Sequence, residues 1–436
     1  MNILVIGNGF DIEHGLPTLY KDFLDFMQCI NFLKEELDTA NNAVIDQISF
    51  DEQLENKLKH TVDSAIQRYF CEKNLLKVNT FYKWTEEEIA KELINNANNN
   101  IWVRYFIKNM DYEKDGWIDF ESEICNVIKC FEYMKKYSDH NRKGIGWPRE
   151  EEQERADKQE IVQKIINYSG ADIETFELLG KKLREIVNIL NDHLNDLIRC
   201  LEIYLEDCVG NIEIEYLAPD LENFEPDKVL SFNYTKTHKK YYKCENAYIK
   251  EEQYEYIHGQ AMLDRSKQDN NMVLGIDEYL DDDKKDKELD FIEFKKYYQR
   301  IYKRTGNKYK KWIDKIKSVQ EERIEKEKDL KERLLKVNNN RGKDYIKQEL
   351  INLSEDGKNE IYIFGHSLDV TDKDIIKELI VCPNTVTTIF YYNKEAYAQQ
   401  IANVVKIIGQ DELIKRVSGA DPTIIFKQQQ QRIARK

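Results

Sequence analysis

Asn2-Ile3-Leu4-Val5-Ile6-Gly7-Asn8-Gly9-Phe10-Asp11 is the stretch that decides the fold class. A short apolar run stops abruptly in a Gly-X-Gly turn. A buried strand that enters such a turn is how nucleotide-binding α/β domains open. Glycines let the backbone turn sharply and come close to a phosphate or ribose, because they carry no Cβ. A helix starting just beyond is expected to aim its free N–H groups at the same point. The competing explanation is a plain strand-to-loop turn, since one Gly-X-Gly is a weak signal.

Strands of similar character recur far downstream. Lys228-Val229-Leu230-Ser231-Phe232 is one, and Glu255-Tyr256-Ile257, running into His258-Gly259, is another. Glu360-Ile361-Tyr362-Ile363-Phe364 ends in Gly365-His366-Ser367-Leu368-Asp369, and Val386 to Tyr392 follows. Thr423-Ile424-Ile425-Phe426 reads as an edge strand or a packed tail. Helices lie between them: Asp372 to Val381, with Thr371 and Asp374 spaced as a capping box, then Tyr397 to Ile408 and Asp411 to Val417. Alternating strands and helices predict a Rossmann-like, doubly wound, mainly parallel sheet.

Two long segments interrupt it. From about Ile30 to Tyr216 the apolar spacing is helical throughout, as in Leu54, Leu58 and Val62, or Trp102, Tyr105 and Phe106. Gly144 to Pro148 reads as a loop, and Glu150 to Glu160 as an exposed charge run. Residues from about Asp281 to Asn352 are helical and highly charged, with both signs interspersed, which reads as a solvated helical hairpin. The expected organisation is an α/β core of residues 1–29, 217–280 and 353–436, with helical insertions at 30–216 and 281–352.

Composition narrows the class. The 436 residues are 41% hydrophobic and 34% charged, which fits a globular protein with a large charged helical surface. Six prolines in that length favour long uninterrupted helices. A net charge of −15 argues against nucleic-acid binding by the whole surface. The basic end Arg432 to Lys436 reads as a solvated tail. Eight cysteines form no Cys-X-X-Cys pair and no zinc-spaced Cys/His cluster, so no metal site is expected. Scattered thiols, with no stretch read as a signal peptide or membrane span, lead to the expectation of a cytoplasmic protein.

Parallel sheets bind ligands at the C-terminal ends of their strands. Four strand ends here carry unusual polar groups: Gly7 to Asp11, Ser231-Phe232-Asn233-Tyr234-Thr235, His258-Gly259, and Gly365 to Asp369. Asn, His and Asp just where strands stop are more than a structural loop needs.

The same residues carry a family resemblance. Ile6 to Asp11, His14-Gly15-Leu16-Pro17-Thr18 with Tyr20 and Phe23, Trp117 with Asp119 and Glu121, and Ser231 to Thr235 occur in that order. Ile257-His258-Gly259, Leu274-Gly275, and Phe364 to Asp369 with Asp372 complete the series. Together they resemble the AbiH family of bacteriophage abortive-infection proteins. The order is also similar to that of a divergent sirtuin domain. Gly7 and Gly9 match the sirtuin opening loop, Asn233 its ribose- or water-positioning asparagine, His258 its catalytic histidine, and Gly365 and Ser367 its late loop beside the adenosine. Thr235 stands where the sirtuin pattern has Asp, and the zinc-binding cysteines of sirtuin deacetylases are absent.

The resemblance implies an antiphage effector that hydrolyses NAD, taken as substrate and not as a recycled cofactor. Asn233, His258 and Asp11 are then the expected catalytic residues. Gly7, Asn8, Gly9, Phe10, Gly365, His366, Ser367 and Asp369 are the expected nucleotide-binding ones. The chemistry is reasonable: breaking the nicotinamide–ribose bond passes through an oxocarbenium-like state. An amide oxygen can orient water, and a histidine can take a proton from that water or from a ribose hydroxyl. The partners expected are NAD or a related nucleotide, a phage-derived trigger and further copies of the chain, with no membrane and no nucleic acid.

Other readings remain open. A catalytically silent nucleotide-sensing or partner-binding module is the first alternative. A nuclease fits the acidic surface poorly. A serine hydrolase would need Gly-X-Ser-X-Gly, and Asp369 replaces its last glycine. Asp119 and Glu121, two residues apart on a presumed helix, diverge by about 200° and are expected not to share a pocket without distortion, so they stand as secondary site candidates.

Overall fold

The computed structural model describes residues 1–40, 64–75, 78–109, 118–142, 152–171, 176–214, 216–222, 224–242, 253–280, 284, 286–355, 357–430 and 432–434. Leu54, Leu58, Val62, Trp117, the 144–148 loop and Cys244 lie outside the described residues.

The strands are β1 (Asn2–Ile6), β2 (Tyr216–Leu217), β3 (Lys228–Ser231), β4 (Tyr254–Tyr256), β5 (Asn359–Phe364), β6 (Thr385–Tyr391), β7 (Ile424–Gln428) and β8 (Ile433–Ala434). Six of them form one sheet in the order β4-β3-β1-β5-β6-β7, and every pairing in it is parallel. Counted along the chain, that is the 3-2-1-4-5-6 order of a doubly wound α/β sheet. The chain winds outward to one side through β3 and β4, then to the other through β5, β6 and β7. The winding reverses between β1 and β5, and the crevice beyond that pair is where such sheets receive ligands. Thr423 to Phe426 thus belongs to an edge strand.

Strand periodicity explains the layering. Ile3 and Val5 point to one face with Leu230, Ile361, Ile363 and Ile389. Leu4 and Ile6 point to the other with Val229, Phe364 and Phe390. Buried on both faces, these strands read as continuous apolar runs. Helix α1 (Asn8–Glu13) follows β1 directly, and α2 (Tyr20–Ala40) opens the first helical segment. That segment continues as α3 (Ser64–Glu72), α4 (Val78–Thr85), α5 (Glu88–Ala97), α6 (Ile101–Asn109), α7 (Phe120–Arg142), α8 (Glu152–Ser169) and α9 (Phe176–Ile203). Phe23, Phe106, Phe120 and Tyr204 are wholly buried in its core. Helix α9 ends in a π-helical turn at Tyr204–Cys208, where the Tyr204 hydroxyl donates to the Pro17 carbonyl at 2.7 Å. The helical layer is thereby tied to the loop that follows β1.

Downstream lie α10 (Thr237–Tyr241), α11 (Lys296–Tyr302), α12 (Tyr309–Lys336), α13 (Asn340–Glu355), α14 (Lys373–Ile380), α15 (Lys394–Ile408) and α16 (Gln410–Val417). Helices α12 and α13 form the expected hairpin, with Leu330, Ile346 and Leu353 as its small core. It is not solvated along its whole length, because Tyr309, Trp312, Ile313 and Ile316 pack against the sheet.

Two local expectations fail. The turn before α14 is capped by Asp369, whose side chain accepts from the Thr371 N–H, so no Thr371–Asp374 capping box forms. The basic end is not free: Ile433 and Ala434 pair with β2, and Arg432 Nε reaches Glu13 at 3.0 Å. Among the described residues, no helix is long and apolar enough to cross a membrane.

Candidate functional site

The ends of β1, β3, β4 and β5 converge on one cleft of about 740 Å³, roofed by Ile118, Asp119, Glu121, Leu201 and Leu205 of the helical layer. Gly7, Asn8, Gly9, Asp11, Asn233, His258, Gly365, His366, Ser367 and Asp369 all line it. Phe10 does not. Its ring turns to the opposite side, 4.4 Å from His14 and 6.1 Å from Phe364, where it is wholly buried. His14 is held there too. Its Nδ1 lies 2.6 Å from the Phe10 carbonyl and therefore carries the proton, and Nε2 accepts from the Tyr242 hydroxyl.

The glycines serve a purpose the sequence did not reveal. The Gly9 N–H donates to the Gly365 carbonyl at 2.8 Å, and the Phe10 N–H donates to the Gly7 carbonyl. A Cβ on Gly9 would lie 2.8 Å from that same carbonyl oxygen. The two strand-end loops pack backbone against backbone, which only glycine permits. These N–H groups are therefore spent within the protein and are not offered to a phosphate. Asn8 is similarly engaged: its amide donates to the Thr18 carbonyl and accepts from the Thr18 hydroxyl.

Asp11 is the centre of one half of the cleft. Its Oδ2 accepts from Asn233 Nδ2 at 3.0 Å and from Thr235 Oγ1 at 2.6 Å. Burial pushes its pKa up to about 6, against the pull of these hydrogen bonds. Asp11 Oδ1 and Asn233 Oδ1 are both buried and have no partner among the described residues. Two orphaned acceptors in one cleft call for donors from a ligand or water.

The other half is an ionic cluster. Asp372 Oδ1 lies 3.1 Å from His258 Nε2 and 3.5 Å from Lys296 Nζ, and Asp372 Oδ2 lies 3.8 Å from His366 Nε2. Lys296 also pairs with Glu121 at 2.8 Å. The ammonium and the imidazoles hold the Asp372 carboxyl well below the usual carboxylate range, and its neighbouring carboxylates hold Lys296 above that of a free lysine. Burial lifts Glu121 to about 7, drops His366 to about 4 and lowers His258.

Sequence reasoning missed Lys296, which lies inside a segment read as solvated. It quoted Asp372 with the family motif but assigned it no place in the site. It also set Asp119 against Glu121, yet both line the cleft. Asp119 precedes the helix, accepting from the Glu121 N–H at 3.0 Å as its cap, so helical angles do not apply to the pair. Among the described residues, no three His, Cys, Asp or Glu side chains are grouped to hold a metal ion.

The family model described as bacteriophage abortive infection AbiH matches residues 3–392, from β1 through β6. The chain belongs to the AbiH family. Neither the curated proteins nor the solved structures give a match. Membership of the AbiH family suggests a role in phage abortive infection, and the matched span contains every cleft residue named above.

Proposed function

We propose that this AbiH-family protein is an abortive-infection effector with a sirtuin-like core, and that it hydrolyses the nicotinamide–ribose bond of NAD or a related nucleotide once a phage-derived trigger is present. The observation that carries the reading is the pair of buried, unpartnered acceptors, Asp11 Oδ1 and Asn233 Oδ1, in a cleft built from four adjacent strand ends. They are suited to the hydroxyls of a ribose or to an attacking water.

Charge supports the same reaction. Asp11, Asp119, Glu121, Asp369 and Asp372 line the cleft, and its lysine, Lys296, is already paired. A cationic pyridinium ring, and the positive charge that develops on the ribose as the bond breaks, suit such a lining. As the C1′–N bond breaks, its electron pair leaves on nicotinamide. The water oxygen bonds to C1′, and its proton passes to His258 and then to solvent. Thr235 occupies the position of the sirtuin Asp, but the carboxylate of Asp11 reaches to 2.6 Å from its hydroxyl. The acidic group is thus supplied from β1 instead of β3.

Purified protein incubated with NAD, with and without lysate from infected cells, tests this by nicotinamide release. Loss of release in folded Asn233→Ala and His258→Ala supports the assignment, and unchanged release in both overturns it. The Thr235 substitution favours one competing reading, a nucleotide sensor without turnover. Intact NAD recovered from the cleft, with phage protection persisting in His258→Ala, would establish that reading instead.

A further inference from the structure

Two imidazoles pack edge-on to the ring of Phe232, His258 at 5.6 Å and His366 at 4.3 Å between centroids. Asp372 faces both. The two histidines nevertheless differ at Nδ1. His366 Nδ1 accepts the Leu368 N–H at 2.9 Å, so the neutral ring carries its proton on Nε2 and has no lone pair left for the cleft. Leu368 sits at a φ of 58°, a conformation that costs a leucine energy and aims its N–H at that nitrogen. For His258, too, Nε2 faces the Asp372 carboxylate, 3.1 Å from an Oδ1 that it meets as an ionic contact and not as a formed hydrogen bond, while Nδ1 is buried without a partner among the described residues.

A carboxylate beside one ring nitrogen selects the tautomer protonated there and leaves the other nitrogen as the base. We propose that Asp372 is the positioning residue of the cleft: it keeps the His258 proton on Nε2 and presents the Nδ1 lone pair to the bound ligand. Lys296 completes the device. Its ammonium stands 3.5 Å from the same Asp372 oxygen and is itself anchored by Glu121. A buried carboxylate without that counter-ion would take up a proton and lose its hold on the ring. The cluster draws Glu121 from the helical layer, Lys296 from the second insertion, and His258 and Asp372 from two strand ends. The packing of these elements on one another therefore also sets the tautomer.

The role rests on the hydrolase reading only for its kinetic test. Long-range 1H–15N correlation spectra of the full chain, labelled with 15N-histidine, report the tautomer directly. The His258 signal is identified by its loss in His258→Gln. The expected spectrum shows His258 protonated on Nε2, with Nδ1 as the bare nitrogen. Asp372→Asn is expected to shift it toward Nδ1–H or a tautomer mixture. The same change is expected to lower kcat for nicotinamide release about 10- to 100-fold, with KM little changed and partial recovery in Asp372→Glu. An Nδ1–H tautomer in the unsubstituted chain overturns the proposal, and so does an unaltered tautomer in folded Asp372→Asn. If Asp372→Asn does not fold, the unsubstituted spectrum alone decides. An Nε2–H tautomer without any NAD turnover supports the positioning role and overturns the hydrolase reading.

Discussion

Asp11 and Asn233 meet across 222 residues of sequence, the Asn233 amide donating to the Asp11 carboxylate at 3.0 Å. The contact joins the loop after β1 to the loop after β3, strands that are neighbours in the sheet. It uses one oxygen of the acid and the nitrogen of the amide. The remaining oxygen of each is left buried and unpartnered in the cleft. A fold concerned only with its own stability has no reason to leave two such acceptors without a protein donor.

Asp11→Asn is therefore expected to gain stability and lose activity. The native pKa of Asp11 stands at about 6, above the 3.8 of a free aspartate. Between those values the native state binds more protons than the unfolded chain. The group's contribution is thus complete below about pH 4 and is lost as pH rises through about 6. At pH 7.5 the amide variant should be more stable by up to about 3 kcal/mol, with the difference vanishing near pH 4. Urea unfolding of both chains across that range measures it. Nicotinamide release should fall at least about 100-fold, and in the unsubstituted chain it should rise with pH through about 6.

How much of this was legible in sequence varies with the range of the contact. The strands were legible because both faces of each are buried, so that Ile3 to Ile6 and Ile361 to Phe364 read as apolar runs. The meeting of Asp11, Asn233 and His258 in one cleft followed from their positions at strand ends, since parallel sheets gather those ends on one side. The purpose of Gly9 was not legible, because its close neighbour, Gly365, comes from the other end of the chain. Lys296 stayed hidden for the same reason: no local pattern separates a lysine that neutralises buried carboxylates from its solvated neighbours. The separation argued for Asp119 and Glu121 failed on a boundary, as the helix begins at Phe120.

The carboxylate shared between β1 and β3 can be moved. Thr235→Asp alone places a second acid beside Asp11, and one of the two is expected to stay protonated, lowering stability and activity together. Combined with Asp11→Asn, the new acid sits next to an amide that can donate to it. Release of nicotinamide by the double variant is expected to exceed that of Asp11→Asn by about tenfold, the lower part of the range for a positioned acid or base. No recovery in a folded double variant would show that Asp11 acts through its own position and not as a stand-in for the β3 acid.

Lys296→Met removes the cation that Glu121 and Asp372 share. Breaking a buried pair leaves an uncompensated charge, at a cost of about 3–5 kcal/mol. Adding Glu121→Gln should return part of that loss, because one of the two abandoned carboxylates is then neutral. Urea midpoints of the single and double variants at pH 7.5 measure the coupling, and strictly additive effects would contradict a shared ion pair.

The junction of the two glycine loops gives the sharpest structural contrast. Gly365 has a φ of 67°, and a Cβ there would lie 2.1 Å from the Phe10 nitrogen. Gly409, between α15 and α16, has a φ of 87° but nothing within 4 Å of its Cβ position. Alanine at Gly409, where ψ is 156° and the backbone lies in a region held almost only by glycine, meets the backbone penalty alone, about 1–3 kcal/mol. Alanine at Gly365 meets that penalty and a clash with backbone that cannot give way by rotating a side chain. It must push the β5 loop off the β1 loop, which displaces Asp11 and His366 together. Gly365→Ala should therefore lose well over about 3 kcal/mol, the range of backbone strain and overpacking combined, and should lose nicotinamide release even where it remains folded. Gly409→Ala should lose only that backbone penalty and keep nicotinamide release. Equal losses at the two positions would mean that the contact between the β1 and β5 loops does not organise the cleft.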